Sequence, residues 1–360
     1  MRRDYLDGLR GWASLFVLFS HLGPVFLLTT SGMSFAPFFM DGQLAVYLFF
    51  VLSGFVLSIG FFESGNRSVL KSLAIRRYPR LTIPIIASCA IALLLIEAGA
   101  MYNAPASIAA KSEWLGLFYN FPTSFASMIK YSMIDVYFES TLKTYNPVLW
   151  TMHYELIGSF LVLAGLYFLN STRLRVVGYL ASLSLAFYFQ SPLAAFAFGV
   201  LLADLSRLPI IGKLKPSRPK SITAFILLIS ILYLVMLRVG HTATPFGLSA
   251  ASFLIIWLVS AIPACRKAFG SPLSLWLGHI SFPLYLTHVL VICSASSAIY
   301  LGLTDLGISF FSTSVITALT TIAMAICAAI LFSPIEDFAI QISRKLSSVV
   351  MRRKSDLVIG

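Results

Sequence analysis

Residues 43–62, QLAVYLFFVLSGFVLSIGFF, run for 20 positions without one charged side chain. That is the length an α-helix needs to cross the ~30 Å hydrocarbon core of a bilayer. Comparable runs recur along the whole chain, and apolar and polar residues fall into long separate blocks rather than alternating with a helical or strand period. With 58% hydrophobic and 11% charged residues over 360 positions, a soluble core could not hide this much apolar surface. Inside lipid a backbone must satisfy its own hydrogen bonds, so the expected fold class is an all-α polytopic membrane protein.

The apolar runs predict about ten transmembrane helices, at 11–29, 43–62, 81–101, 148–169, 176–189, 192–205, 221–239, 246–264, 273–296 and 308–332. The fifth and sixth are short enough to form a re-entrant pair. With the N-terminus placed in the cytoplasm, only Lys111, Lys130, Lys143 and Arg238 of the 26 basic residues fall outside. Excess Lys and Arg mark cytoplasmic loops, so both termini are expected inside. The same asymmetry accounts for the net charge of +12, and no nucleic-acid partner is expected. Residues 1–342 read as one integral-membrane domain and 343–360 as a short basic cytoplasmic tail, with no appended soluble domain. No cleavable signal peptide is expected, because the first apolar run ends without a small-residue cleavage pattern. Cys89, Cys265, Cys293 and Cys327 lack metal-ligand spacing and read as inert buried thiols, and no metal is expected. The one long outside segment, 102–147, mixes aromatic and polar residues; it either lies along the interface or caps an outward-facing cavity.

An ionisable group at membrane depth costs several kcal/mol unless paired or wet, which makes each one a functional candidate. His21 lies about ten residues into the first span, roughly 15 Å deep. Glu155 lies about seven residues in from the outer end of the fourth span, and His288 well inside the ninth. Each could instead hold helices together through a hydrogen bond or an ion pair. His153 points about 200° around the helix from Glu155 and drops out of a shared site. Glu97 lies close enough to its helix end to reach the interface.

Arg10 and His21 are eleven residues apart, about three helical turns, so they share one face about 16 Å apart along the axis. Arg76, Arg77 and Arg80, in "IRRYPRLTIP", stand at the entrance of the third span at the same membrane level as Arg10. Ordinary positive-inside anchoring explains such a cluster. A sharper reading is that the guanidinium groups converge on a phosphate-rich cytosolic ligand, which arginine binds bidentately. Acyl-coenzyme A matches that layout, with an anionic head, a long arm and a reactive thioester at its tip. A neutral imidazole there could take the proton of an attacking hydroxyl. A phosphate-bearing lipid or a proton-coupled substrate fits the same residues, so a proton-coupled transporter or flippase stays open as the alternative.

Five stretches in order resemble the acyltransferase 3 family of integral-membrane O-acyltransferases: "YLDGLRGWASLFVLFSH", "GQLAVYLFFVLSGFVLS", "RRYPRLTIP", "LWTMHYE" and "ISFPLYLTH". The first carries the Arg–ten residues–His pattern as Arg10 and His21, and the third the paired arginines as Arg77 and Arg80, with Arg76 a second candidate. The fourth matches through Trp150, Thr151 and Glu155, and the fifth through Ser281, Tyr285 and His288. The resemblance implies transfer of an acyl group, most often acetyl, from cytosolic acetyl-CoA or another acyl-CoA to a hydroxyl of a carbohydrate or glycolipid acceptor. It implies a bacterial inner-membrane (plasma-membrane) location. His21 would be the catalytic residue, with Glu155 and His288 as further site residues, and Arg10, Arg77 and Arg80 would hold the donor. Without an esterase-like domain of its own, the chain would act alone or hand over to separate glycan-assembly proteins.

Overall fold

The computed structural model of the chain describes residues 3–27, 38–139, 143–169, 171–207, 218–238 and 244–359. Among these residues the structure is all-helical. The first element, α1 (Asp4–Leu22), carries Arg10 and His21 on one unbroken helix and gives way to a π turn at Gly23–Leu27. Pro24 has no N–H to continue the helix ladder, which accounts for the change of pattern one residue past Leu22. His21 therefore stands on the last turn of α1, not in the middle of a straight span. The expected end of that span, residues 28 and 29, lies outside the described residues.

Helix α2 (Gly42–Ser64) starts where the Asp41 side chain accepts the Leu44 N–H at 2.9 Å and stops at Gly65, φ +67°. Asn66 caps the next helix by accepting the Ser68 N–H at 2.8 Å. That helix, α3 (Arg67–Glu97), continues through Pro79 and Pro84. Short helices α4 (Asn103–Ala109), α5 (Glu113–Gly116) and α6 (Phe125–Lys130) follow, the last running on through a π turn to Phe138. Next come α7 (Trp150–Phe168), α8 (Thr172–Tyr188), α9 (Ala194–Leu205) and α10 (Arg218–Arg238). The chain then forms α11 (Pro245–Ala261), α12 (Pro263–Phe269), α13 (Pro272–His279), α14 (Ser281–Val291), α15 (Ser297–Asp305) and α16 (Phe310–Ile359).

Among the described residues, five helical segments are long and apolar enough to cross a membrane: Gly42–Ser64, Arg67–Glu97, Pro147–Phe168, Ser281–Asp305 and Phe310–Arg352. A sixth forms if α11 and α12, bent by 98° at Ile262–Pro263, count as one span. The other expected spans lie on helices that are shorter, broken or more polar. Helix α1 carries Asp4, Asp7 and Arg10 in its first two turns, and α9 has only 12 residues. Twelve residues rise about 18 Å, too little for a bilayer. Helix α16 also passes position 342 without a break, so the basic tail continues the last span as helix.

Two close crossings position the site. A Cβ on Gly11 would lie 2.4 Å from the Gly278 nitrogen, and one on Gly199 would lie 2.2 Å from the Val51 carbonyl oxygen. Backbone-to-backbone approach of this kind uses small residues in place of side-chain interdigitation. It brings α1 onto α13 and α9 onto α2. Cys89 and Cys293 are buried, Cys265 is half-buried, and Cys327 is exposed on α16, which corrects the expectation that the thiols are interior.

Candidate active site

A cavity of about 190 Å³ lies among α1, α2, α3, α7, α13, α14 and α16. Its wall carries Arg10 from α1, Arg76, Arg77 and Arg80 from α3, and Glu155 from α7. Glu336 from α16 completes the charged lining. All four arginines of the sequence reading thus meet in one space, although they come from two helices.

They are not equivalent. Arg77, 9% exposed, forms a very short ion pair with Glu155, and both side chains bond to the Ser53 hydroxyl; the Arg77–Ser53 contact is 3.3 Å. Arg10 has Asp7 at 3.8 Å, one turn away on its own helix. Arg80 faces Glu336, Arg10, Arg76 and Arg77. Glu336 in turn faces Arg80, Arg10 and His279. Glu336 was not recognised from the sequence. It sits in "LFSPIEDF" past the last expected span, where an acidic pair reads as solvated surface.

The cavity wall also holds Phe49 and Tyr285, whose ring centroids are 6.0 Å apart. The Tyr285 hydroxyl contacts Thr151 Oγ1 at 2.8 Å and donates to the Val148 carbonyl at 2.7 Å, which ties α14 to α7. One turn along α14 lies His288, fully buried, its ring 6.1 Å from that of Tyr285. Its ring is 5.2 Å from that of His21. Two histidines 267 positions apart in the sequence therefore form one pair, while neither lines the arginine cavity.

Ring tautomers follow from the partners. His21 Nδ1 lies 2.8 Å from the Val17 carbonyl and His288 Nδ1 lies 3.0 Å from the Leu284 carbonyl. A carbonyl only accepts, so each Nδ1 carries the hydrogen and each Nε2 keeps its lone pair. Nε2 of His288 is buried without a hydrogen-bond partner. Glu155 does not join the histidines: it is engaged by Arg77 and Ser53 on the cavity side of Tyr285. His153 points elsewhere, its Nδ1 2.6 Å from the Tyr137 carbonyl, and Glu97 accepts from Thr123 at 3.2 Å near its helix end.

The far side of the histidine pair is covered by the segment after α3. Trp114 of α5 lies 4.8 Å from the His21 ring, and the Tyr102 N–H donates to the Cys293 carbonyl at 2.9 Å. These contacts fold the first part of the 102–147 segment back onto the histidine pair.

Long apolar helices in a bundle crossed by buried charge define a multi-pass membrane protein. Residues 3–333 match the family model described as an acyltransferase domain. The match covers nearly the whole chain, which belongs to the acyltransferase 3 family and is a membrane acyltransferase. No curated protein and no solved structure is a match to it.

Proposed function

We propose that the protein is an O-acyltransferase of the bacterial plasma membrane that moves an acyl group, acetyl in the simplest case, from cytosolic acyl-CoA to a hydroxyl of a surface carbohydrate or glycolipid. The observation that carries this reading is the order of parts along α1 and α14. Arg10, Ser281 and Tyr285 line the arginine cavity, His288 stands 6.1 Å from Tyr285, and His21 meets His288.

Arg10, Arg76 and Arg80 would hold the phosphates of the donor, with Arg77 braced by Glu155 as the fixed wall behind them. The donor arm would pass where Phe49 and Tyr285 meet, which requires their rings to part. With the thioester at the histidine pair, Nε2 of His21 takes the proton of the acceptor hydroxyl as its oxygen attacks the carbonyl carbon. The C–O bond forms, the C–S bond breaks, and the proton returns to the leaving thiolate. His288, its own Nε2 free, stands where it can share that proton.

Mass spectrometry of surface glycans from cells with and without the protein tests the reading, and one labile acyl group should be lost with the gene product. Purified protein should exchange acyl groups between donor and acceptor without an ion gradient. The His21→Ala protein should lose transfer by at least about 100-fold, the usual contribution of a general base, while its thermal midpoint in detergent stays near that of the wild type. Wild-type glycan acylation by His21→Ala would overturn the assignment.

A further inference from the structure

Helix α5 is a single turn, yet it sets the Trp114 indole 4.8 Å from the His21 imidazole at a tilt of 51°. Phe118 braces the indole edge-on, also at 4.8 Å. The backbone of this turn is clasped from below. Asn103, 2% exposed, donates its Nδ2 hydrogens to the carbonyls of Leu115 at 2.8 Å and Phe118 at 3.2 Å. Immediately after, Tyr119 adopts φ +65°, a left-handed conformation that is an outlier for a bulky side chain. Strain of this kind persists only where the surroundings over-determine the conformation. Phe118 and the Asn103 clasp therefore hold one indole against one imidazole, at the end of α1 opposite Arg10.

A base that activates a hydroxyl activates water equally well. In both cases an oxygen attacks the thioester carbon, its proton passes to Nε2 of His21 and on to the thiolate, and the C–S bond breaks. A sugar hydroxyl gives an ester and free thiol; water gives a carboxylic acid and free thiol. Only access separates the two outcomes, and excluding water is the general means of suppressing the second.

We propose that Trp114 is a positioning residue that shields His21 from water on the acceptor side, so that the acyl group partitions to the acceptor hydroxyl and not to hydrolysis. This rests on the acyl-transfer reading above. The indole covers His21 until an acceptor takes its place, and Asn103 holds it there.

The test uses the full-length protein purified in detergent with acetyl-CoA as the probe donor and no acceptor, following release of free thiol. Acetyl incorporation into surface glycans of cells carrying the same variants is measured in parallel. Trp114→Ala should release thiol at least tenfold faster than wild type while glycan labelling falls. Trp114→Phe, which keeps an aromatic cover, should restore the wild-type ratio. Asn103→Ala loosens α5 without removing the indole and should shift the ratio in the same direction as Trp114→Ala, including where the latter fails to purify. The excess release should vanish when His21→Ala is added. An unchanged ratio in folded Trp114→Ala or Asn103→Ala, or an excess that survives His21→Ala, overturns the shielding role. If instead the wild type neither labels glycans nor releases thiol, the acyl-transfer reading itself has failed.

Discussion

At the scale of single residues, the proposed function divides the charges of the site into those that hold the fold and those that would hold the donor. The Arg77–Glu155 pair belongs to the first kind, because both groups lie in the bundle and each satisfies the other. Removing one member of a buried pair leaves an uncompensated charge and costs about 3–5 kcal/mol, whereas removing both costs less. Glu155→Ala and Arg77→Met should each lower the thermal midpoint in detergent, and the double variant should recover much of the loss, giving a coupling above about 1 kcal/mol in a double-mutant cycle. Arg10, Arg76 and Arg80 belong to the second kind. Their triple Ala variant should remain folded and lose affinity for CoA, read by titration calorimetry; unchanged affinity would remove them from donor binding. The sequence displayed Arg10 and His21 as partners because helical periodicity alone puts them on one face. It displayed Glu155 and His288 as buried candidates but not their partners. Choosing Arg77 for one and His21 for the other takes a tertiary arrangement that no local spacing encodes. Glu336 and Trp114 stayed hidden for a related reason: one follows the final apolar run, and the other looks like an interfacial aromatic until α5 is folded back over α1.

At the scale of elements, each apolar run announced a helix, but not where the helix would break. Ile262–Pro263 interrupts the eighth run and Ile280 the ninth, and the first of these breaks turns an expected span into a bent pair. Hydropathy sums over such breaks, whereas the missing proline N–H and the local caps decide them. The glycine crossings were equally illegible, since a glycine inside an apolar run reads as a weak helix former until its neighbour is known. Gly11 is the one that sets the site, because it lets α1 lie directly on α13 beside Arg10. Gly11→Val would place carbon inside the Gly278 backbone. It should push α1 away, weaken CoA binding at least tenfold and lower the thermal midpoint. The same change at Gly165, which has open space around its Cβ position, should do neither.

At the scale of the whole molecule, the arginine cavity and the histidine pair lie in sequence along α1 and α14, joined at Tyr285. On the loop charges that axis is expected to run with the arginines toward the cytoplasm and residues 102–147 beyond the membrane. In a background freed of native cysteines, Ala126→Cys should react with an impermeant thiol reagent in intact cells, and Ser348→Cys only after lysis. The reverse pattern would invert the protein and place the donor cavity outside. Fold class was the most legible feature because it depends on sums over many residues, which tolerate local error. The separation of the histidine pair from the cavity was the least legible, because it depends on tertiary packing around Tyr285.

Glu155 and Glu336 inside the arginine cavity have a consequence for its resting condition. Four guanidinium groups without counter-ions would draw in any inorganic anion at hand. The two carboxylates offset only two of those four charges from within, so the cavity keeps an excess of positive charge. A polyphosphorylated guest answers that excess with several charges at once, which favours a highly charged visitor over the abundant weakly charged solutes around it.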